Sequence, residues 1–295
     1  MGALELCIVP GFECNFACSH CAVSEVSEGG VRLSGAEVGL LQETVRSYAP
    51  HTLAFTGGEP TLYVEDINSL IAAHPGRDHL TIRLTTNGHF ATDRDSIVQT
   101  LDSFVKLDEI QLSYDRFHSE FIPSQQAGLL YQVCVERGLR FSIVISLTSP
   151  VDLVIARELR QFGDMPISFQ KVLAIGRAKT NGLAYQYPAF DPAVLEASCP
   201  NRGQVFYICG RGFSMCCSAL VFNGAFPGVI HPTLEEHLKS DFYNRVSSSR
   251  FSELMAGAGV GLSSLAPQHS SPCALCEHLF SSRRSPAYVP LSQPH

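Results

Sequence analysis

No run of apolar residues in this 295-residue chain reaches the length needed to cross a bilayer, so no membrane partner is expected. The first residues lack a basic stretch followed by an apolar one, so no signal peptide is expected either. Charged side chains are scarce, at 17%, which is too few for long disordered tracts. Positive charge is in deficit: 21 Lys and Arg stand against 28 Asp and Glu, for a formal net charge of −7. That balance argues against a nucleic-acid partner, since a duplex-binding surface needs an excess of cations. Apolar side chains, by contrast, make up 45% of the chain. This is enough for a large core in one α/β domain, or in one domain with an appendage. Cysteine is also plentiful. Eleven cysteines without an export signal point to metal or redox chemistry in a reducing compartment, and a cytoplasmic location is expected.

Short apolar runs alternate with helix-like stretches from residue 4 to about residue 172. The pattern predicts strands at 4–9, 52–56, 81–85, 109–113, 141–146 and 167–172, with helices near 36–48, 64–73, 93–104, 125–137 and 152–162. Six βα repeats imply a parallel sheet with right-handed crossovers. The expected fold class is therefore α/β, as a partial (β/α)6 TIM-like barrel, with its working loops at the carboxyl ends of the strands. Beyond residue 172 the pattern changes. Residues 176–203 read as irregular, and 204–209 and 219–222 as β-like, with Asn223-Gly224 as a hairpin turn signal. A helix is expected at about 233–246. A Ser- and Pro-rich tail follows from about 262, interrupted by Cys273-x2-Cys276.

Cys14, Cys18 and Cys21 are spaced C-x3-C-x2-C on the loop after the first predicted strand. Three thiolates on one short loop can hold three corners of a cubane iron–sulfur cluster, whereas a fully protein-held cubane needs four. The fourth iron then stays open to a ligand that is not protein, as a reactive metal site requires. A zinc knuckle with His20 as fourth ligand is the structural alternative, although zinc sites more often use two C-x2-C hooks.

Further polar motifs follow later strand ends. Thr56-Gly57-Gly58-Glu59-Pro60 follows the second, where paired glycines let backbone approach a ligand and Glu59 offers a carboxylate suited to an ammonium group. Thr86-Asn87-Gly88 follows the third and Ser113-Tyr114-Asp115 the fourth. Turn formation alone would also explain Asn87 and Ser113. His118 reads as a loop residue. Gly176-Arg177-Ala178 follows the sixth strand, and the planar fork of Arg177 suits a carboxylate.

Together these motifs resemble the radical S-adenosylmethionine (SAM) enzymes. In that family the open iron of a [4Fe-4S] cluster chelates SAM, and one electron cleaves it to methionine and a 5′-deoxyadenosyl radical that removes a substrate hydrogen. The resemblance implies Cys14, Cys18 and Cys21 as cluster ligands. It also implies His20, Thr56, Gly57, Gly58, Glu59, Asn87 and Ser113 as the SAM pocket. Arg177 and Asp115 are candidate catalytic groups because they should face the barrel mouth.

Four later cysteines extend the resemblance. The pattern Cys199-x12-Gly212-x4-Cys217 with distal Cys273 and Cys276 is similar to the twitch domain, the shorter relative of the SPASM domain. It implies one auxiliary [4Fe-4S] cluster that could take an electron from a substrate radical. Zinc in the same four thiolates is the alternative, and Cys216 or Cys209 could replace a ligand. Cys7 and Cys134 read as core residues. The expected division is a radical SAM partial barrel at 1–180, a twitch-like domain at 181–285 and a tail at 286–295. Its layout looks most like the 2-deoxy-scyllo-inosamine dehydrogenases of that family. The implied reaction is oxidation or rearrangement of a small polar metabolite (an amino sugar, cyclitol or nucleoside). Modification of a short ribosomal peptide comes second, and an iron–sulfur electron carrier is the reading from another class. A flavodoxin- or ferredoxin-type electron donor is the implied partner.

Overall fold

A computed structural model describes residues 4–23, 32–223 and 226–282. The first six strands lie where the apolar runs place them: β1 (Glu5–Val9), β2 (Thr52–Phe55), β3 (Thr81–Thr86), β4 (Glu109–Ser113), β5 (Arg140–Leu147) and β6 (Ile167–Lys171). β1 and β2 are almost wholly buried, as strands covered on both faces are. β3 and β4 alternate instead, with Ile82, Leu84, Ile110 and Leu112 fully buried. Between the strands run α1 (Gly35–Tyr48), α2 (Val64–Ala73), α3 (Arg94–Asp102), α4 (Ser124–Glu136) and α5 (Val154–Leu159). Ser34 starts α1 with a capping box, in which its side chain accepts from Glu37 N while Glu37 reaches back to Ser34 N.

All six strands are parallel and paired in chain order, as right-handed crossovers dictate. Among the described residues the sheet does not close. Instead β7 (Gln204–Ile208) pairs parallel with β1 on its free side, and β8 (Gly212–Ser214) pairs antiparallel with β7, giving the order β6-β5-β4-β3-β2-β1-β7-β8. The segment after residue 181 therefore shares a sheet and a core with the segment before it.

Local expectations after residue 203 are corrected here. Residues Ala219–Phe222 form a short helix, α7, after α6 (Gly176–Thr180). The strand that returns from β7 is β8, because Gly210 at φ 71° and Gly212 at φ 115° turn the chain earlier. Gly224 of the expected hairpin turn lies outside the described residues. The helix expected at 233–246 is two helices, α8 (Leu234–Lys239) and α9 (Asp241–Ser248). Ser240 between them is extended, at φ −70° and ψ 150°, and its side chain caps Tyr243 N. After α10 (Phe251–Ala258), the part of the Ser- and Pro-rich region that is described is ordered. It ends in α11 (Pro272–Ser282), which carries Cys273 and Cys276 and has Pro at its first position. The expected tail at 286–295 lies outside the described residues.

Candidate functional site

The cysteine loop leaves the carboxyl end of β1 and is clamped by loops from three other strands. From the β2 loop, Gly58 N–H donates to Gly11 O at 3.1 Å and Glu59 N–H to Glu13 O at 2.8 Å. The contact is so close that a Cβ on Gly58 would come within 2.0 Å of Glu13 O, and one on Gly57 within 2.7 Å of Gly11 O. The paired glycines thus serve the packing of one loop on the other. From the β3 loop, Asn87 Nδ2 donates to Cys14 Sγ at 3.5 Å. From α6, Arg177 N–H donates to Cys21 O at 2.9 Å and Arg177 Nη1 to Cys18 O at 3.2 Å, while Asn181 Nδ2 donates to Ser19 O at 2.8 Å. Gly176 is required by this approach, since its Cβ would meet Ala22 O at 2.5 Å.

Cys14 is exposed, Cys18 buried and Cys21 half-buried. Burial, then the charges of Cys21, Cys14 and Asp115, push the Cys18 thiol up to about 12. Burial raises Cys14 as well. Three thiolates so placed repel one another, and a cationic iron core is the partner that removes that cost. Spacing bears on the choice of metal. A tetrahedral zinc with 2.3 Å bonds draws its sulfurs to about 3.8 Å from one another. Among the described residues, the one group of three metal-capable side chains with ligand atoms all within 4.8 Å is His20, Asp115 and His118, and no three cysteines meet that limit. Three thiolates on one short loop, with no fourth protein thiolate beside them on that loop, are a donor set that fits a cluster with one open iron.

Glu59 is placed differently from the expectation. Its carboxylate is fully buried and turned inward: Oε1 accepts from Thr61 N, Thr61 Oγ1 and Thr86 Oγ1, and Oε2 from Asn87 N. Burial raises its pKa despite these bonds. The side chain joins the β2 and β3 loops rather than facing the cysteines. Asn87 is positioned by the same bond, and its Oδ1 accepts from His89 N at 2.9 Å. Thr56 N–H continues the sheet to Ile8 O at 3.1 Å. Ser113 is half-buried at the end of β4, opposite Val144.

Asp115 is also fully buried. Its Oδ1 accepts from Phe117 N and His118 N and lies 2.8 Å from His118 Nδ1, and its Oδ2 accepts from Ser146 N. Burial opposes ionisation, but the His118 bond and the charges of His118 and His20 outweigh it and hold Asp115 at about 2. His118, read from the sequence as a loop residue, lies in a turn and helps to hold Asp115. His20 Nε2 lies 3.6 Å from Asp115 Oδ2, and its ring stacks on Phe117 at 4.2 Å. Burial pulls His20 down to about 4, and its buried Nδ1 has no hydrogen-bond partner among the described residues. A neutral ring beside the cysteine loop with one unused nitrogen suits ligand contact.

The later cysteines also converge. Cys199, Cys216, Cys273 and Cys276 line one small cavity under α9 and α10. Cys217 lies beside them: its thiol is pushed up to about 12 by burial, then by Cys273, and its Sγ accepts from Asn201 Nδ2 at 3.3 Å. Cys209 is buried under the influence of Glu37 and Asp66, apart from this group. Cys134 is a buried core residue of α4. Sequence reasoning missed the residues after Cys276. Glu277 and His278 face a larger cavity together with His269, and the only signal was their place next to a metal-spaced cysteine pair.

Residues 8–148 match the family model described as the Radical SAM superfamily. Two solved structures are similar in fold. Native anSMEcpe with bound AdoMet and Cp18Cys peptide shares 14% identity over 95% of this chain and 96% of that one, with a TM-score of 0.56. BtrN in complex with AdoMet and 2-DOIA shares 11% identity over 87% of this chain and 90% of that one, with a TM-score of 0.53. No curated protein matches the sequence.

Proposed function

We propose that this chain, whose residues 8–148 are a radical SAM domain, oxidises or rearranges a small polar metabolite by hydrogen abstraction. The observation that carries the proposal is the clamped loop, which presents Cys14, Cys18 and Cys21 at the carboxyl edge of an open parallel sheet. When bound there, a [4Fe-4S] cluster and SAM supply a 5′-deoxyadenosyl radical. The chain's own part is to hold that chemistry still. Asn87 donates to one ligand sulfur, Arg177 fixes two carbonyls of the ligand loop, and Asp115 with His118 sets the position of His20. We assign the second thiol group, Cys199, Cys217, Cys273 and Cys276, to an auxiliary [4Fe-4S] cluster that accepts the electron left on the substrate. Cys216 at the same cavity is a further candidate ligand.

In this reading the substrate is an amino sugar, cyclitol or nucleoside, and a flavodoxin- or ferredoxin-type protein delivers the reducing electron in the cytoplasm. A short peptide is the second reading, favoured by the likeness to anSMEcpe, which was solved with a peptide bound. No helix among the described residues is long and apolar enough to cross a membrane. Iron and sulfide counting on anaerobically reconstituted protein tests the two-cluster assignment. About eight irons per chain are expected from two cubanes, and about four would remove the auxiliary cluster and its electron-accepting role.

A further inference from the structure

A cavity of about 320 Å³ opens between the end of β6 and helix α11. Its floor is Val172 to Ile175, where β6 gives way to α6. One wall is Tyr185 and Tyr187, and the other is His269 with Glu277 and His278 of α11. Chain segments next to both cysteine groups contribute to it. Ile175 on the floor precedes Gly176, which lies against the Cys21 and Ala22 carbonyls. Ala274 in the far wall sits between Cys273 and Cys276.

The polar groups of this cavity share one character. Asn223 Nδ2 donates to both Ala174 O at 3.3 Å and Glu277 Oε1 at 3.0 Å, which fixes the carboxylate at the floor's edge. Among the described residues the second oxygen, Oε2, has no hydrogen-bond donor of its own, and so can take an O–H or N–H from a ligand. His269 Nδ1 accepts from Ala266 N at 2.9 Å, so its proton is on Nε2, and its ring stacks on His278 with centroids 4.4 Å apart. The tyrosine rings meet edge to face at 4.9 Å. Lys171 Nζ is held over both of them, at 4.6 and 4.3 Å from their centroids, and does not line the cavity. No Lys or Arg lines it at all among the described residues. Among the described residues that line the cavity, a carboxylate or phosphate would meet Glu277 and no Lys or Arg, whereas hydroxyls and an ammonium group find acceptors and an aromatic wall.

We propose that this cavity is the substrate site and that it selects a hydroxylated, amine-bearing small molecule over a carboxylate or phosphate ester. The assignment rests on the radical-enzyme reading above. The test is ligand-observed saturation-transfer NMR on the reconstituted full chain, with glucosamine as the amine-bearing probe and glucuronate and glucose 6-phosphate as its anionic counterparts. Glucosamine is expected to bind at least tenfold more tightly than either anion. Glu277→Gln should weaken it at least fivefold. Ala184→Trp, which fills the cavity from its loop side, should abolish binding. Ser281→Arg, at the exposed rim one helical turn after Glu277, should abolish the preference against anions without touching the core. Preferential binding of the anions, no binding of glucosamine, or binding indifferent to both Ala184→Trp and Ser281→Arg would each overturn the proposal. Failure of the radical-enzyme reading has a separate signature: no deoxyadenosine from wild-type protein and SAM, whatever the probes do.

Discussion

Arg177 reaches 159 residues back along the chain to donate through Nη1 to the carbonyl oxygen of Cys18 at 3.2 Å. Its backbone N–H donates to Cys21 O at 2.9 Å, so one residue of α6 pins two of the three cysteines of the loop. The side chain expected to meet a carboxylate instead holds the loop that carries the three cysteines. Arg177→Ala should therefore weaken SAM binding about tenfold, near 1.4 kcal/mol, by loosening the loop. The backbone bond persists in the variant, so iron content should fall only in part. Isothermal titration of SAM into reconstituted protein checks this, and unchanged affinity would show that the guanidinium plays no part in ordering the loop.

Glu59 makes a second loop-ordering prediction. Its two oxygens accept four hydrogen bonds from Thr61, Thr86 and Asn87 and donate none. Glu59→Gln puts an amide that can only donate at one of these positions, against backbone N–H groups that cannot turn away. A loss of about 2–3 kcal/mol in unfolding free energy is expected. Equilibrium urea unfolding measures it, and a variant as stable as wild type would contradict the burial described.

How far the site was legible follows from where its signals lie. The six strands and the cysteine loop could be read because apolar runs and ligand spacing are local properties of the chain. Glu59 and Asp115 could be singled out in the sequence but their hydrogen bonds could not, because a carboxylate's partners come from other strands: Thr86 and Asn87 for one, Ser146 and His20 for the other. Ala219–Phe222 was read as β from its apolar side chains, yet four residues carry no usable period, and the earlier turn at Gly210 and Gly212 decided the pairing. The α11 cavity could not be read at all, since its walls are about a hundred residues apart in sequence.

The second cysteine group allows the two proposed clusters to be tested separately. Cys276→Ala should lower iron by about four per chain, leave deoxyadenosine release measurable, and stop the substrate from being oxidised. Iron analysis with chromatography of nucleoside products reads both effects. Normal substrate turnover by this variant would remove the electron-acceptor role.

Stability should depend on pH through His237. The ring is fully buried and paired through Nδ1 with His231 Nδ1 at 3.1 Å, and burial, then the His231 charge, lowers it from 6.5 to about 4. Above pH 6.5 the folded and unfolded chains both carry it neutral, and its full contribution is present. As pH falls from 6.5 towards 4, the unfolded chain takes up the proton first, and stability declines by up to about 3 kcal/mol. His237→Phe should make that part of a melting-temperature profile shallower, with His20, also held at about 4, supplying the rest, and an equally steep profile in the variant would assign the titration to another group.

The central claim is that three thiolates hold a cluster whose open iron takes SAM. Deoxyadenosine release tests it most directly, measured anaerobically with SAM and dithionite on wild type and on Cys18→Ala. The account predicts deoxyadenosine and methionine from wild type and none above background from Cys18→Ala, because three ligands leave no spare. A silent wild type that carries its full complement of iron and sulfide, or a Cys18→Ala protein that cleaves SAM at the wild-type rate, would contradict it.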